Sequence, residues 1–122
     1  MNLVLIGLGG AIGAITRYGI SQLTDTWYKG SFPLATLLAN VLATFLFALV
    51  YFIFYSYTNF NTQLKQLLII GFCGGLSTFS TFSFETFELI KREMWFTATL
   101  NVVLSLIMCL AVIYLISKKV NL

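Results

Sequence analysis

The residues able to do chemistry gather in one stretch, Gly71-Phe72-Cys73-Gly74-Gly75-Leu76-Ser77-Thr78-Phe79-Ser80-Thr81-Phe82-Ser83-Phe84-Glu85. Two adjacent glycines interrupt an apolar, otherwise helical run, and hydroxyl and phenyl side chains crowd the positions that follow. Non-helical backbone in hydrocarbon leaves amide groups unpaired at a cost of several kcal/mol each. A break at Gly74-Gly75 must therefore face protein, water or an ion. Its freed carbonyls can coordinate a small cation. Phe79 and Phe82, three apart on a helix, share a face, and the electropositive edges of their rings can meet an anion. A small anion also needs donors in place of its water, and Asn40, Ser80 and Thr81 are of that type. Any one Ser or Thr can instead bond back to a carbonyl of its own helix. Five such hydroxyls between Ser77 and Ser83 exceed what apolar packing requires.

The chain around this stretch is that of a membrane protein. It has 122 residues, 59% hydrophobic and 9% charged, where a soluble domain carries about a quarter charged residues. The net charge of +3 comes from scattered residues. It reads as anchoring at a lipid interface and not as a nucleic-acid footprint, which needs a clustered basic face. Histidine is absent. With no serine–base constellation or metal-ligand cluster either, the sequence argues against an enzyme. Cys73 and Cys109 lie in apolar segments and read as small hydrophobes. The N-terminus lacks a basic region and a small-residue cleavage site, so the first apolar run is expected to be retained. The whole of 1–122 reads as one membrane domain.

Four segments are long enough to cross a hydrocarbon core, which takes about 20 helical residues. They run from about Asn2 to Leu23, Pro33 to Tyr57, Leu64 to Leu89 and Phe96 to Ile116. Short loops make neighbours antiparallel. Pro33 suits a first helical turn. Gly9 and Gly13 form a GxxxG step that permits close helix approach, either within the chain or between subunits. Arg17 is a charge several residues inside the first span. It either snorkels to the 24–30 loop or has a structural or pore-mouth role. Asn40 serves as interhelical glue or as an amide donor for a permeating anion, with Thr36 and Thr44 on its face. Asn101 and Ser105 share a face of the fourth span. Tyr51, Tyr55 and Tyr57 resemble an aromatic belt, and Trp27 and Trp95 read as interface anchors in the first and third loops.

Loop charge gives no orientation. Lys65, Lys118 and Lys119 stand on one side against Lys29, Lys91 and Arg92 on the other, with Arg17 tipping the balance by one. The positive-inside rule normally yields a clear asymmetry, so this chain is expected to insert either way round. Glu85 and Glu88 sit towards the end of the third span, leaving mid-membrane without an acid. A small multidrug-type four-helix transporter is the alternative, but it needs an acid in the first helix, and Asn2 to Leu23 has none. A non-transporting accessory subunit leaves the hydroxyl–phenyl run unexplained.

The run from Gly71 to Phe82 resembles the signature of the Fluc/CrcB fluoride channels. Gly9-Gly10-Ala11-Ile12-Gly13-Ala14-Ile15-Thr16-Arg17-Tyr18 looks like that family's first-helix motif, and Thr36-Leu37-Leu38-Ala39-Asn40 its second. The resemblance implies an all-α integral membrane protein of four transmembrane helices, the third broken, assembled as an antiparallel dual-topology homodimer. It implies two fluoride pores lined by Phe79 and Phe82, with Asn40 as pore amide. Ser80, Thr81, Glu85 and Ser105 would contribute further polar groups. Carbonyls of Gly74 and Ser77 from both subunits would hold a central structural Na⁺. The implied function is passive export of fluoride across the inner (plasma) membrane, which gives fluoride resistance. Ser77 departs from the family's usual threonine, and Ala35 and Ala43 replace glycines common around the second motif.

Overall fold

The computed structural model describes residues 2–55 and 61–120, and Tyr57 lies outside them. Four helical segments are long and apolar enough to cross a membrane: Asn2–Trp27, Leu34–Phe54, Thr62–Lys91 and Trp95–Lys119. Helix α1 is Asn2–Trp27 and α2 is Leu34–Tyr55. The third segment begins with a turn at Thr62–Lys65, winds as a π-helix over Gln66–Cys73 and ends in a turn at Gly74–Leu76. This continuous rod, 62–76, is α3. Its other half, α4, is Phe79–Lys91, and α5 is Trp95–Lys119.

Helix ends differ from the hydropathy reading because local bonds extend them. Nothing between Leu23 and Trp27 breaks a helix, and Thr24 and Thr26 bond back to the Ile20 and Leu23 carbonyls. Trp27 is thus the last residue of α1, and Trp95 the first of α5, so neither lies in a loop. Helix α2 starts at Leu34, one residue after Pro33, whose carbonyl accepts the Leu37 N–H at 3.2 Å. Asn61 caps α3 by accepting the Gln63 N–H at 2.9 Å. Between α4 and α5 the Met94 and Glu93 N–H groups bond the Leu89 and Ile90 carbonyls, a Schellman turn with Glu93 at φ 61.

The glycines settle which helices touch. Gly74 is helical at φ −64, ψ −36, and no glycine among the described residues has positive φ. The expected break at Gly74-Gly75 is therefore corrected: the chain is helical there. Gly71 and Gly75 form instead a second four-residue small step that meshes with Gly9 and Gly13. A Cβ on Gly13 would lie 2.8 Å from the Leu76 N, and one on Gly71 would lie 2.8 Å from the Ile6 O. The backbones of α1 and α3 are in contact, so the GxxxG step serves packing within the chain. Substitution of Gly13 by Ala should lower stability by about 2 kcal/mol or more, since the clash is with rigid backbone. Gly7→Ala, which meets nothing within 4 Å, should be neutral or slightly stabilising. Thermal unfolding in detergent compares the two. Leu76, Ala39 and Ala43 form the most buried cluster, with Phe72, Ile20 and Leu46 packed on it. It lies directly beside the residues that end α3.

Candidate functional site

The third span is interrupted at Ser77 and Thr78, three residues later than the glycines suggested. Both are extended, Ser77 at φ −75, ψ 151 and Thr78 at φ −149, ψ 114. Threonine is a favoured helix cap, and Thr78 starts α4 by accepting the Thr81 N–H on Oγ1 at 3.2 Å. Its hydroxyl also bonds Thr81 Oγ1 at 3.0 Å. Extended backbone at this depth must find partners outside its own helix. Asn40 of α2 supplies two: Oδ1 accepts the Thr78 N–H at 2.7 Å, and Nδ2 donates to the Thr78 carbonyl at 3.3 Å. Arg17 of α1 supplies a third, with Nη1 3.4 Å from the Ser77 carbonyl. Arg17 thus reaches the break and not the 24–30 loop. In a continuous helix the Thr78 N–H would bond the Gly74 carbonyl; turning to Asn40, it releases that oxygen.

Two clefts flank the interruption. One, of about 260 Å³, is walled by Asn40, Thr44, Ser77, Thr78, Phe79, Phe82, Ser105, Leu106 and Cys109. The Phe79 and Phe82 rings lie 5.9 Å apart at a 35° tilt. Phe82 is half-buried, whereas Phe79 is 80% exposed. Ser105 is 8% exposed, and its hydroxyl has no partner among the described residues. Leaving such a group unpaired costs about 1–3 kcal/mol, so the cleft's lining includes a hydroxyl with unmet hydrogen-bonding capacity.

The other cleft, also about 260 Å³, lies towards α1 and is lined by Arg17, Tyr18, Ser21, Thr36, Thr81 and Glu85, among others. Thr36 Oγ1 donates to Glu85 Oε1 at 2.9 Å, while Glu85 Oε2 has no partner among the described residues. Thr78 borders both clefts. A larger hollow of about 430 Å³ shares Ser21, Ala35 and Glu85 and adds Glu88 and Arg92 at the end of α4.

The candidates therefore fall into two groups. Asn40, Ser77, Phe79, Phe82 and Ser105 share the first cleft; Arg17, Thr81 and Glu85 share the second. Ser80 lines neither, but its Oγ is 3.4 Å from Thr78 Oγ1. Gly74 borders a separate hollow of about 280 Å³ with Ser77 and Thr44. Thr78 is a site residue that motif and spacing did not single out. Its signal is a threonine three residues before another hydroxyl at a helix start, a capping pattern overshadowed by the glycines. Cys109, read as a small hydrophobe, stands in the wall of the first cleft.

Residues 4–116 match the family described as "CrcB-like protein, Camphor Resistance (CrcB)". The chain belongs to the CrcB family. All three sequence motifs fall inside the matched region. The fluoride-specific ion channel FluC of Shewanella baltica (strain OS185) is 47% identical over 114 residues, covering 93% of this chain and 91% of the relative. That of Shewanella oneidensis is 45% identical over the same length and coverage. Both are named as ion channels, a non-enzymatic activity.

Proposed function

We propose that this CrcB-family chain is a fluoride-selective channel of the inner (plasma) membrane, releasing F⁻ passively and so giving fluoride resistance. The first cleft supports the reading. Phe79, Phe82, Asn40 and Ser105, whose hydroxyl has no partner among the described residues, line one cleft, in a chain whose relatives are named fluoride-specific. A small anion that sheds water needs donors close by, and these are uncharged, so they bind it without trapping it. Thr81, Glu85 and Arg17 line the second cleft, which serves as the vestibule, with Ser80 beside the Thr78 cap.

The functional unit is an antiparallel homodimer with two pores. Ser80, Thr81 and Ser83 are exposed on α4 beside Phe79, Phe84 and Phe87, and hydroxyls facing lipid gain from a covering surface. The balanced loop charges supply no bias against opposite insertion of two copies. Two backbone carbonyls at the break support a central Na⁺. The Gly74 carbonyl has lost its helical donor to Asn40, the Ser77 carbonyl keeps a second lone pair beside Arg17, and carbonyl oxygens suit a hard cation. Among the described residues no cluster of acidic, Cys or His side chains competes for such an ion. Bound there, Na⁺ supplies fixed positive charge and cross-links the two copies.

Expression in a fluoride-sensitive bacterium lacking its own exporter should restore growth in fluoride. A single cysteine introduced at Ser31, in a Cys73→Ser, Cys109→Ser background, should be labelled by impermeant maleimide from both sides of the membrane. No rescue by a protein that reaches the membrane contradicts the channel; one-sided labelling contradicts dual insertion.

A further inference from the structure

Hydrogen bonds tie α5 to the ring-bearing turn of α4. Thr86 Oγ1 donates to the Phe82 carbonyl at 2.8 Å, and Asn101 Nδ2 donates to Thr86 Oγ1 at 3.0 Å. Asn101 is 1% exposed, one of the two largest side chains that are fully buried. An amide in that position is costly, and its Oδ1 has no partner among the described residues. An apolar residue would join the two helices at lower cost. The hydrogen bond to Thr86 is what the amide adds. It is directional, so it fixes the rotation and axial register of α4 against α5, where apolar contact permits sliding.

That register matters at the first cleft. Phe82 is one turn before Thr86 on α4, and Ser105 is one turn after Asn101 on α5; Phe82 and Ser105 face the same space. We infer that Asn101 is a positioning residue, acting through Thr86 to hold the Phe82 ring at a set distance from the Ser105 hydroxyl. The functional consequence rests on the channel reading above. The Thr86 back-bond alone cannot do this, because it stays within α4.

Thr86→Val removes the hydroxyl and keeps the shape, Thr86→Ser keeps the hydroxyl, and Asn101→Leu removes the amide at similar volume. Fluoride efflux from proteoliposomes should slow about three- to tenfold in Thr86→Val and in Asn101→Leu, the kinetic equivalent of one lost hydrogen bond. The double variant should be no slower than the slower single one, because both cut one chain. Thr86→Ser should run at the unsubstituted rate. Fluorine NMR of para-fluorophenylalanine placed at position 82 reads the ring itself, whether or not the protein conducts. Its resonance should move or broaden in Thr86→Val and Asn101→Leu and stay in place in Thr86→Ser. An unmoved resonance in the first two overturns the relay. So does multiplicative slowing in the double variant, or slow flux in Asn101→Leu with normal flux in Thr86→Val, which makes Asn101 act directly. Absence of fluoride flux in the unsubstituted protein overturns the channel reading instead and leaves the NMR comparison decisive for the relay.

Discussion

Substituting Phe79 or Phe82 by Ile should abolish fluoride efflux while leaving the protein folded and assembled. Isoleucine preserves apolar bulk but has no electropositive ring edge. The two rings stand 5.9 Å apart in the lining of a cleft whose polar side chains are all uncharged. On the channel reading, each ring compensates part of the anion's lost hydration. Raising the barrier to the anion by about 3 kcal/mol corresponds to a loss of about a hundredfold in rate. Phe79 is 80% exposed, so its substitution disturbs little packing within the chain. A fluoride electrode outside loaded proteoliposomes gives the rate, and size-exclusion chromatography checks assembly. Normal flux in both variants removes the rings from the pathway.

The second large effect is expected at Asn40. In Asn40→Leu the Thr78 N–H and carbonyl both lose their partner at once. At about 1–3 kcal/mol for each buried group left unpaired, the variant should lose about 2–6 kcal/mol of stability. Flux should fall with it, because the Thr78 cap starts the helix that carries both rings. Thermal unfolding in detergent together with efflux separates the alternatives. If Asn40 serves only the ion, flux falls and the melting temperature stays. If it holds the break as the hydrogen bonds indicate, both fall together.

How far the sequence could be read differs by feature. The four spans were legible because an apolar run of about twenty residues fits little besides a membrane-crossing helix, and their cores match to within a turn. Asn40, Phe79 and Phe82 were singled out by residue type and motif and line one cleft; the fourth span carries no sharp motif, so the place of Ser105 beside them was only weakly legible. The position of the break was not. Adjacent glycines look like a helix breaker, yet spacing of four between Gly71 and Gly75 matches Gly9 and Gly13, and the missing side chains let two backbones touch. Helical glycine and broken glycine share one composition; only the partner helix distinguishes them. Arg17 was ambiguous for a related reason. Its long side chain can reach a loop or an interior carbonyl, and the Ser77 carbonyl becomes available only because the helix stops there. The split of Thr81 and Glu85 from the phenylalanines also escaped one-dimensional reading. A helix starting at Phe79 instead of running through it sets which hydroxyls face which cleft.

Glu85 illustrates how the same residue type takes its role from its surroundings. It lies one turn from Thr81, holds Thr36 at 2.9 Å, and lines the hollow that opens towards Glu88 and Arg92. That places it off the phenylalanine wall; on the channel reading, a carboxylate at that wall would repel the anion.

The most direct test of the central claim is the ion selectivity of the purified, unsubstituted protein. Liposomes carrying it are loaded with equal potassium fluoride and potassium chloride, valinomycin is added, and the two anions are followed outside with selective electrodes. Fluoride should leave rapidly while chloride remains at the level of protein-free liposomes. Equal release of both anions, or fluoride release no faster than from empty liposomes, contradicts a fluoride-selective channel.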